Sequence, residues 1–312
     1  MDARARGAGL RHLAGGVASD AARWVFTCDA SRGVAILDTI SLLMSTSTLP
    51  DTIADALSTT RMGTPLRYRH TVGSTNADAA AWARNGAPEG AVVLAEQQTE
   101  GRGRHGRTWA APPHQALTGS VVLRPDLPPD LFSLIPLAAS LAVADAMQAL
   151  ALPHPPRIKW PNDVLIDGRK CCGMLLETAM RGASPQPHAN TYVVLGIGLN
   201  VNQTAFPEGV DATSLRLETG QPVPRGPLWA RIMQHLEARY DALHVPEQRA
   251  DLRSAYADRM LYRGQSITVR APGTDRTRTG TVVGINETGA LVLDTPRGQV
   301  TFHAGEVTTR PA

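Results

Sequence analysis

The chain has 312 residues, with 31 basic and 28 acidic side chains and a formal net charge of +3. Of these residues 43% are hydrophobic and 19% are charged, which is typical of a folded soluble protein and excludes a disordered or fibrous one. So small a net charge gives only weak grounds for a nucleic-acid partner. Three cysteines, two of them adjacent, exclude a disulfide framework, and a reducing cytoplasm fits best.

The first 48 residues show little regular pattern. Residues 1–48 are rich in alanine, glycine and arginine, so we expect a flexible extension, or a non-native segment from an over-long start before Met44. A winged helix-turn-helix would need several helices followed by a hairpin, and we find no such pattern here. The apolar patch at 34–43 is divided by Asp38 and has no clear cleavage site, so we expect no secretion signal.

Between residues 49 and 262 helix and strand patterns alternate, which predicts one larger domain of helices and sheet. Strand-like runs are found at 66–72, 91–96, 119–123, 157–166, 171–178 and 192–202. Helical patterns are found at 74–84, 130–150, 227–244 and 249–260. Ser74 is a suitable N-cap for the first of these helices, and Asn85-Gly86 is a suitable end. The apolar stretch around 131–150 carries Asp145 and Gln148, which membrane-spanning helices rarely do, so it predicts a core helix.

Residues 263–312 show a different pattern, with short β-branched runs separated by glycines. The runs lie at 267–270, 280–285, 290–293 and 299–303. Their length and spacing are typical of a small all-β barrel. The predicted fold class is therefore α+β, with a barrel at the C-terminal end.

A loop rich in glycine and arginine, G-R-G-R-H-G-R at 101–107, follows the second predicted strand. It formally satisfies G-x-G-x-x-G, but residues 108–113 include two prolines and do not begin a helix, so a dinucleotide site is excluded. The glycines let the backbone approach a ligand closely, while Arg102, Arg104 and Arg107 bring positive charge to it. The loop suits a phosphate or an anionic intermediate; the alternative is a nucleic-acid-binding or merely solvated loop.

Only two of the 31 basic residues are lysines, Lys159 and Lys170. Lysine offers a compact ammonium where arginine offers a wide fork, so the two are not equivalent at a tight site. Lys159 opens the motif K-W-P-N-D and Lys170 opens K-C-C-G-M-L-L-E. A general preference for arginine, or an ordinary surface ion pair, is the alternative explanation of these positions.

Five motifs in a fixed order carry a family resemblance. They are S-T-N at 74–76, G-R-G-R-H-G-R at 101–107, K-W-P-N-D at 159–163, K-C-C-G-M-L-L-E at 170–177 and G-I-G-L-N-V-N at 196–202. With H-A-G-E-V near the C-terminus, the chain resembles the bacterial biotin–protein ligases over roughly residues 50–312. The resemblance implies a catalytic domain like that of class II aminoacyl-tRNA synthetases, with a mixed β-sheet and helices, followed by an SH3-like barrel. The expected domains are 1–48 (extension), 49–262 (catalytic) and 263–312 (barrel).

The resemblance also implies an activity. The family makes biotinyl-5'-AMP from biotin and ATP with magnesium, then transfers biotin to one lysine of biotin carboxyl carrier protein. That carrier is the expected partner, with neither a membrane nor nucleic acid, and a homodimer is left open. Without a winged helix the chain resembles the monofunctional, non-repressing type. The alternatives are a biotin-responsive DNA-binding repressor and a lipoate or octanoate ligase.

The resemblance assigns the site residues position by position. The biotin-binding positions are Ser74, Thr75, Asn76, Gln98, Arg102, Gly103, Arg104 and Lys170. The ATP- or adenylate-binding positions are Arg107, Trp109, Lys159, Asn162 and Asn200, although turn chemistry also explains the asparagine at 200. The catalytic positions are Lys170 and Arg104, with Asp163 as the candidate base of the second step. No protein metal site is expected, because the phosphates would hold most of the magnesium, with Asp163 as a candidate ligand.

Two departures from the family pattern concern small groups of residues. His105 stands where an arginine is common in the loop. Cys171 and Cys172 occupy positions usually filled by small apolar residues, so we expect packing and not redox chemistry.

Overall fold

Two β-sheets organise the part of the chain that the computed structural model describes, residues 47–179, 192–270, 277–303 and 306–308. The strands of the larger sheet are β1 (Leu66–Val72), β2 (Val92–Gln98), β3 (Ala116–Leu123), β4 (Arg157–Lys159), β5 (Asp163–Ile166), β6 (Arg169–Ala179) and β7 (Tyr192–Asn200). Their order across the sheet is β1-β2-β3-β7-β6-β5-β4. The β1–β2 pair is parallel and the other pairs are antiparallel.

Helices cover both faces of the larger sheet. They are α1 (Leu49–Ala56), α2 (Thr75–Arg84), α3 (Leu134–Met147), α4 (Leu215–Thr219), α5 (Arg225–His244) and α6 (Pro246–Arg259), with short 3-10 turns at Arg104–Gly106 and Pro129–Leu131. Helix α2 packs its buried alanines against Val93 and Val194 on one face. The neighbouring Val92 and Leu195 belong to the main core on the other face, with α3 and α5. Successive residues of a strand point to opposite faces of the sheet. Because both faces are covered, the central strands consist of nearly continuous apolar runs.

Helix α2 begins and ends where the sequence predicts. Ser74 precedes it with extended backbone angles (φ −150°, ψ 132°), and Asn85 closes it. Thr75 and Asn76 therefore lie in the first helical turn, where both are buried against the sheet. This turn brings the S-T-N motif to the functional cavity described below.

The apolar stretch around 131–150 forms the core helix that the sequence predicts. It begins as the 3-10 turn at Pro129–Leu131 and continues as α3. The span Pro129–Met147 is long and apolar enough to cross a membrane, but 78% of its most apolar window is buried inside the protein. Its apolar composition is explained by the core that surrounds it.

The C-terminal sheet is antiparallel throughout, as expected for the barrel region. Its strands are β8 (Ser266–Arg270), β9 (Thr277–Ile285), β10 (Leu291–Thr295), β11 (Gly298–Phe302) and β12 (Glu306–Thr308), in the order β11-β10-β9-β8-β12. The turn at its Gly289 lies on the larger domain, where Trp160 Nε1 donates to the Gly289 carbonyl oxygen at 3.0 Å. Ser133 donates a hydrogen bond to the neighbouring carbonyl of Thr288. Mixed helix and sheet followed by this module confirm the predicted α+β fold.

The structure differs from the sequence prediction in several elements. The predicted run 157–166 is divided into β4 and β5, because Pro161 has no N–H to donate to a strand pair. Strand β2 continues to Gln98, which carries that side chain to the cavity. Helices α1 and α4 and strand β12 were not predicted. The expectations for 1–46 lie outside the described residues, and the domain limits stay predictions.

Candidate functional site

One cavity of about 660 Å³ collects every site residue that the sequence singles out. The fourteen predicted residues in its lining are Ser74, Thr75, Asn76, Gln98, Arg102, Gly103, Arg104, Arg107, Trp109, Lys159, Asn162, Asp163, Lys170 and Asn200. They come from helix α2 and its N-cap, strands β2 and β4 to β7, the turn between β4 and β5, and the loop after β2. Residues up to 126 positions apart in the chain thus share one space because the sheet order β2-β3-β7-β6-β5 brings their strands side by side.

The end of the cavity at helix α2 is a buried polar network. Gln98 Oε1 accepts hydrogen bonds from the backbone N of Thr75 at 2.7 Å and from its hydroxyl at 3.0 Å. The Ser120 hydroxyl lies 2.6 Å from Asn76 Oδ1 and 2.8 Å from Thr75 Oγ1. Ser120 is fully buried. Such a network holds its side chains in fixed orientations and presents both donors and acceptors to a ligand.

Glycines in strand β7 leave room for the side chains of this site. A Cβ atom at Gly196 would lie 2.4 Å from Asn76 Oδ1, and one at Gly198 would lie 2.6 Å from Cε2 of Trp109. Real Cβ contacts do not reach such distances, so any larger residue would displace these side chains. The two glycines of G-I-G-L-N therefore let the asparagine and the indole pack directly against the strand.

The glycine- and arginine-rich loop closes on itself at its base. The Trp109 N–H donates to the Gly101 carbonyl at 2.9 Å, and the Gly103 N–H donates to the Arg107 carbonyl at 2.7 Å. Arg104 extends from the loop and donates to Asn162 Oδ1 at 2.9 Å. Burial lowers the pKa of Arg104, which marks its guanidinium as a partly desolvated charge in the lining. The loop therefore contributes cationic groups to one rim of the cavity.

Both lysines lie near Asp163, which is opposite Lys159 in the β4–β5 register. Lys170 Nζ lies 2.7 Å from Asp163 Oδ1. Burial lowers the pKa of Lys159; Asp163 opposes this, and the positive charges of Arg107 and Lys170 add to it. With Arg104, the four cations at this end outnumber the two carboxylates of the lining, Asp163 and Asp211, which makes it a place for an anionic ligand.

Two predicted ligand-binding asparagines use their amides inside the protein. Asn200 donates to the Thr213 carbonyl at 3.0 Å and accepts from Gln203 Nε2 at 2.9 Å. Asn162 donates to the Met174 carbonyl at 2.6 Å and accepts from Arg104. Both line the cavity, but their amide groups hold the cavity wall together, and Asn162 orients Arg104.

Several lining residues were missed in the sequence. Six of them lie in the segment between β7 and α4: Phe206, Pro207, Gly209, Val210, Asp211 and Ala212. The segment is fixed beside β6 because the Lys170 N–H donates to the Asp211 carbonyl at 3.2 Å and the Thr213 N–H donates to the Lys170 carbonyl at 2.9 Å. No periodicity or motif indicates this pairing. Ser120, which supports the lining from behind, had a weak signal, because it and Thr118 are the two hydroxyl residues of an otherwise apolar strand.

A buried ion pair anchors the far end of the loop, and no motif or pattern in the sequence indicates it. Glu96 accepts from both terminal nitrogens of Arg225 at 2.7 and 2.9 Å, from Tyr68 Oη at 2.7 Å and from the His114 backbone N at 2.9 Å. Burial alone would raise the pKa of Glu96, but the hydrogen bonds from Arg225 and Tyr68 outweigh it and lower the pKa to about 2. Glu96 therefore ties β2 to β1, to α5 and to the end of the loop.

The described residues offer neither a cluster of metal ligands nor an accessible thiol. Among the described residues no group of three or more His, Cys, Asp or Glu side chains could hold a metal ion. Cys171 and Cys172 are completely buried, and burial raises the pKa of both thiols above the ordinary range. A buried neutral thiol behaves as a small apolar group, in agreement with the predicted packing role.

Comparison with known proteins adds independent information. Residues 70–200 match the family model described as the biotin/lipoate A/B protein ligase family, and residues 263–310 match the biotin protein ligase C-terminal domain. The biotin–[acetyl-CoA-carboxylase] ligase of Mycobacterium tuberculosis is 40% identical over 240 residues, which cover 75% of this chain and 85% of that protein. A bifunctional ligase/repressor of Bacillus subtilis is 32% identical over 255 residues, which cover 80% and 76% respectively.

A solved structure supports the same relation. The biotin protein ligase of Aquifex aeolicus, in complex with biotin and ATP, superimposes with a TM-score of 0.67 at 27% identity. The match covers 80% of this chain and 100% of that chain.

Proposed function

Since the chain belongs to the biotin protein ligase family, we propose that its cavity joins biotin to AMP and then passes the biotinyl group to a lysine of a biotin carboxyl carrier protein. The observation that carries this proposal is that a buried polar network and a cluster of cations lie at two ends of one cavity. Biotin has the same two parts, a polar ureido ring and a carboxylate that must react with ATP.

The polar end suits the ureido ring. That ring offers two N–H donors and one carbonyl acceptor, so it needs fixed partners of both kinds. Thr75 and Asn76, with Ser74 at the helix start, supply buried hydroxyl and amide groups, and the partly buried Gln98 adds a second amide. A buried polar ligand binds specifically only where such partners are already oriented. Selectivity for biotin is therefore proposed to come from this network.

The cationic end suits the first chemical step. A carboxylate oxygen of biotin forms a bond to the α-phosphorus of ATP as the bond from that phosphorus to pyrophosphate breaks. Two anions must be held together, and negative charge on the leaving group must be stabilised. Lys170 and Arg104 are proposed to do this by position and charge, with Lys159 and Arg107 toward the nucleotide and Trp109 beside it. No covalent enzyme nucleophile is needed.

The second step requires a neutral amine. The carrier lysine attacks the acyl carbon of the adenylate, an amide bond forms, AMP leaves, and the amine loses a proton. Asp163 is the proposed proton acceptor because it is a carboxylate in the lining at the cationic end. Closure of the loop that carries Arg102 and Gly103 would exclude water from the anhydride before the carrier arrives.

Magnesium fits this cavity only as an ion that enters with the triphosphate. The carboxylates of the lining are Asp163 and Asp211, and one oxygen of Asp163 already faces the Lys170 ammonium. These carboxylates could supply one or two ligands but not a complete coordination shell. Magnesium in proteins usually takes its remaining ligands from phosphates and water. When bound, the ion would neutralise part of the triphosphate charge.

The C-terminal domain is what favours biotin over lipoate as the proposed substrate. The family model for residues 70–200 includes both biotin and lipoate ligases. The match of residues 263–310 to the biotin protein ligase C-terminal domain favours biotin. No observation on the described residues favours a DNA-binding repressor, and the cytoplasm is the proposed location because the carboxylase carrier would be met there.

The exchange of labelled pyrophosphate into ATP tests the proposal. We expect exchange that depends on biotin and not on lipoate or octanoate, followed by transfer of labelled biotin to an apo-carrier domain. A carrier domain whose acceptor lysine is replaced by arginine is the matched control and should remain unlabelled. Exchange that depends on lipoate, or none with either acid, would contradict the proposal.

A further inference from the structure

Glu177, near the end of β6, connects two parts of the site with a single carboxylate. Its Oε2 accepts a hydrogen bond from Asn76 Nδ2 at 2.9 Å. Its Oε1 lies 3.7 Å from Arg102 Nη2. Glu177 is not part of the cavity lining, whereas both of its partners are. One carboxylate oxygen thus binds Asn76 at the polar end of the site, and the other pairs with Arg102 of the glycine- and arginine-rich loop.

The loop is held on two sides of the cavity by its arginines. Arg104 donates to Asn162, which lies in the turn between β4 and β5. Arg102 pairs with Glu177 on β6. The Arg104 contact is a hydrogen bond of a partly desolvated group, while the Arg102 pair is open to solvent, with side-chain exposures of 56% and 39%. The ion pair between Arg102 and Glu177 is therefore the weaker of these two contacts of the loop.

We propose that Glu177 is a positioning residue that fastens the Arg102 side of the loop over the bound adenylate while it orients Asn76 for biotin. The inference rests on the proposed function and specifies how the same site is closed. A solvent-exposed ion pair suits a loop that must open for the carrier lysine and for product release, because little free energy is needed to break it.

The two roles of the carboxylate can be separated by substitution. Glu177→Gln keeps a side-chain oxygen that can accept from Asn76 but removes the charge that attracts Arg102. Glu177→Ala removes both contacts. Asp78→Asn is a matched control, because Asp78 also lies on a solvent-exposed ion pair, 3.2 Å from Arg69, and outside the cavity lining.

The measurement is the release of preformed, labelled biotinyl-adenylate from the full-length protein in the absence of carrier. We expect Glu177→Gln to release the adenylate about two- to fivefold faster than the wild type, as the loss of one exposed ion pair implies. The KM for biotin in pyrophosphate exchange should stay within about twofold, since the Asn76 contact is kept. Glu177→Ala should raise that KM as well, and Asp78→Asn should change neither quantity.

Two further measurements test whether the faster adenylate release results from the loss of the ion pair with Arg102. Added salt should speed adenylate release from the wild type more than from Glu177→Gln, because salt screens an exposed ion pair. The double variant Arg102→Gln/Glu177→Gln should release the adenylate no faster than the faster single variant. Release at the wild-type rate from Glu177→Gln, or fully additive effects in the double variant, would overturn the inference. A wild type that forms no adenylate from biotin would remove the proposed function, and this inference with it.

Discussion

The ammonium of Lys170 lies 2.7 Å from Oδ1 of Asp163, over a glycine of the same hairpin. A Cβ atom at Gly173 would lie 2.8 Å from Lys170 Nζ, so the lysine side chain runs along a surface that only glycine leaves free. Asp163 and Gly173 are opposite each other in the β5–β6 register. The hairpin thus brings a residue of K-W-P-N-D and one of K-C-C-G-M-L-L-E into direct contact inside the cavity.

Lys170→Ala is expected to abolish adenylate formation without unfolding the protein. The ammonium is the compact cation nearest Asp163, and the loss of such a group at a reacting phosphate lowers the rate by at least about a hundredfold. Lys170 is 37% exposed, so stability should change little. Pyrophosphate exchange and thermal unfolding check the two parts. Arg169→Ala is the control on the same strand, since Arg169 pairs with Glu218 outside the cavity lining. Full exchange activity in Lys170→Ala would contradict the assignment.

Arg104→Ala should weaken retention of the adenylate more than it slows its formation. The substitution removes a hydrogen bond from a charged group to Asn162, which is worth about 1.5–3 kcal/mol. We expect adenylate release to rise about tenfold or more, as such a loss implies. Arg104→Lys should restore only part of the retention, because an ammonium lacks the guanidinium fork. Unchanged release from Arg104→Ala would show that the loop is held by other contacts.

Gly196→Ala should impair biotin binding selectively. The added methyl carbon would lie 2.4 Å from Asn76 Oδ1 and would displace that amide from Ser120 and Glu177. We expect the KM for biotin to rise by about tenfold or more while the KM for ATP changes little. Gly73→Ala serves as a control, since its nearest neighbour would be a side-chain oxygen of Glu100 at 3.7 Å. An equal rise in both KM values would contradict a role at the biotin end.

Acid should destabilise the protein through Glu96. Its pKa is lowered to about 2 from the ordinary value of 4.5, so the folded state is stabilised when the carboxylate is charged in both states. This stabilisation, on the order of 3 kcal/mol, is complete above about pH 4.5 and is lost as the pH falls toward about 2. Urea unfolding of the wild type and of Glu96→Gln measures it.

The Glu96→Gln variant separates this contribution from general acid unfolding. At neutral pH it should be less stable than the wild type, because Arg225 is left without its charged partner in a buried place. The difference between the two proteins should shrink as the pH falls through the window just given. A constant difference over that window would contradict the role of the Glu96 charge.

The sequence by itself determined the elements whose signals are local. Ser74 and Asn85-Gly86 marked the limits of α2, because such residues favour the backbone angles of a helix end, although the Ser74 side chain makes no capping hydrogen bond. The glycine and β-branched runs after Gly264 indicated the C-terminal sheet, since side-chain alternation and turn chemistry are also local. The five motifs likewise contain twelve of the fourteen predicted lining residues, and the family resemblance added Gln98 and Trp109.

Tertiary structure alone decided which groups meet at the site. Ser120 reaches Asn76 across 44 residues and Glu177 reaches it across 101, because the order β3-β7-β6 places their strands beside one another. Asn200 finds its partner at Thr213 because the segment after β7 pairs beside β6 at Lys170, a contact that turn chemistry at the strand end did not suggest. Contacts between distant residues depend on strand order and register, and neither can be deduced from the local residue pattern of a single strand. The motifs therefore named many residues of the cavity, and the tertiary structure determined which side chains contact one another there.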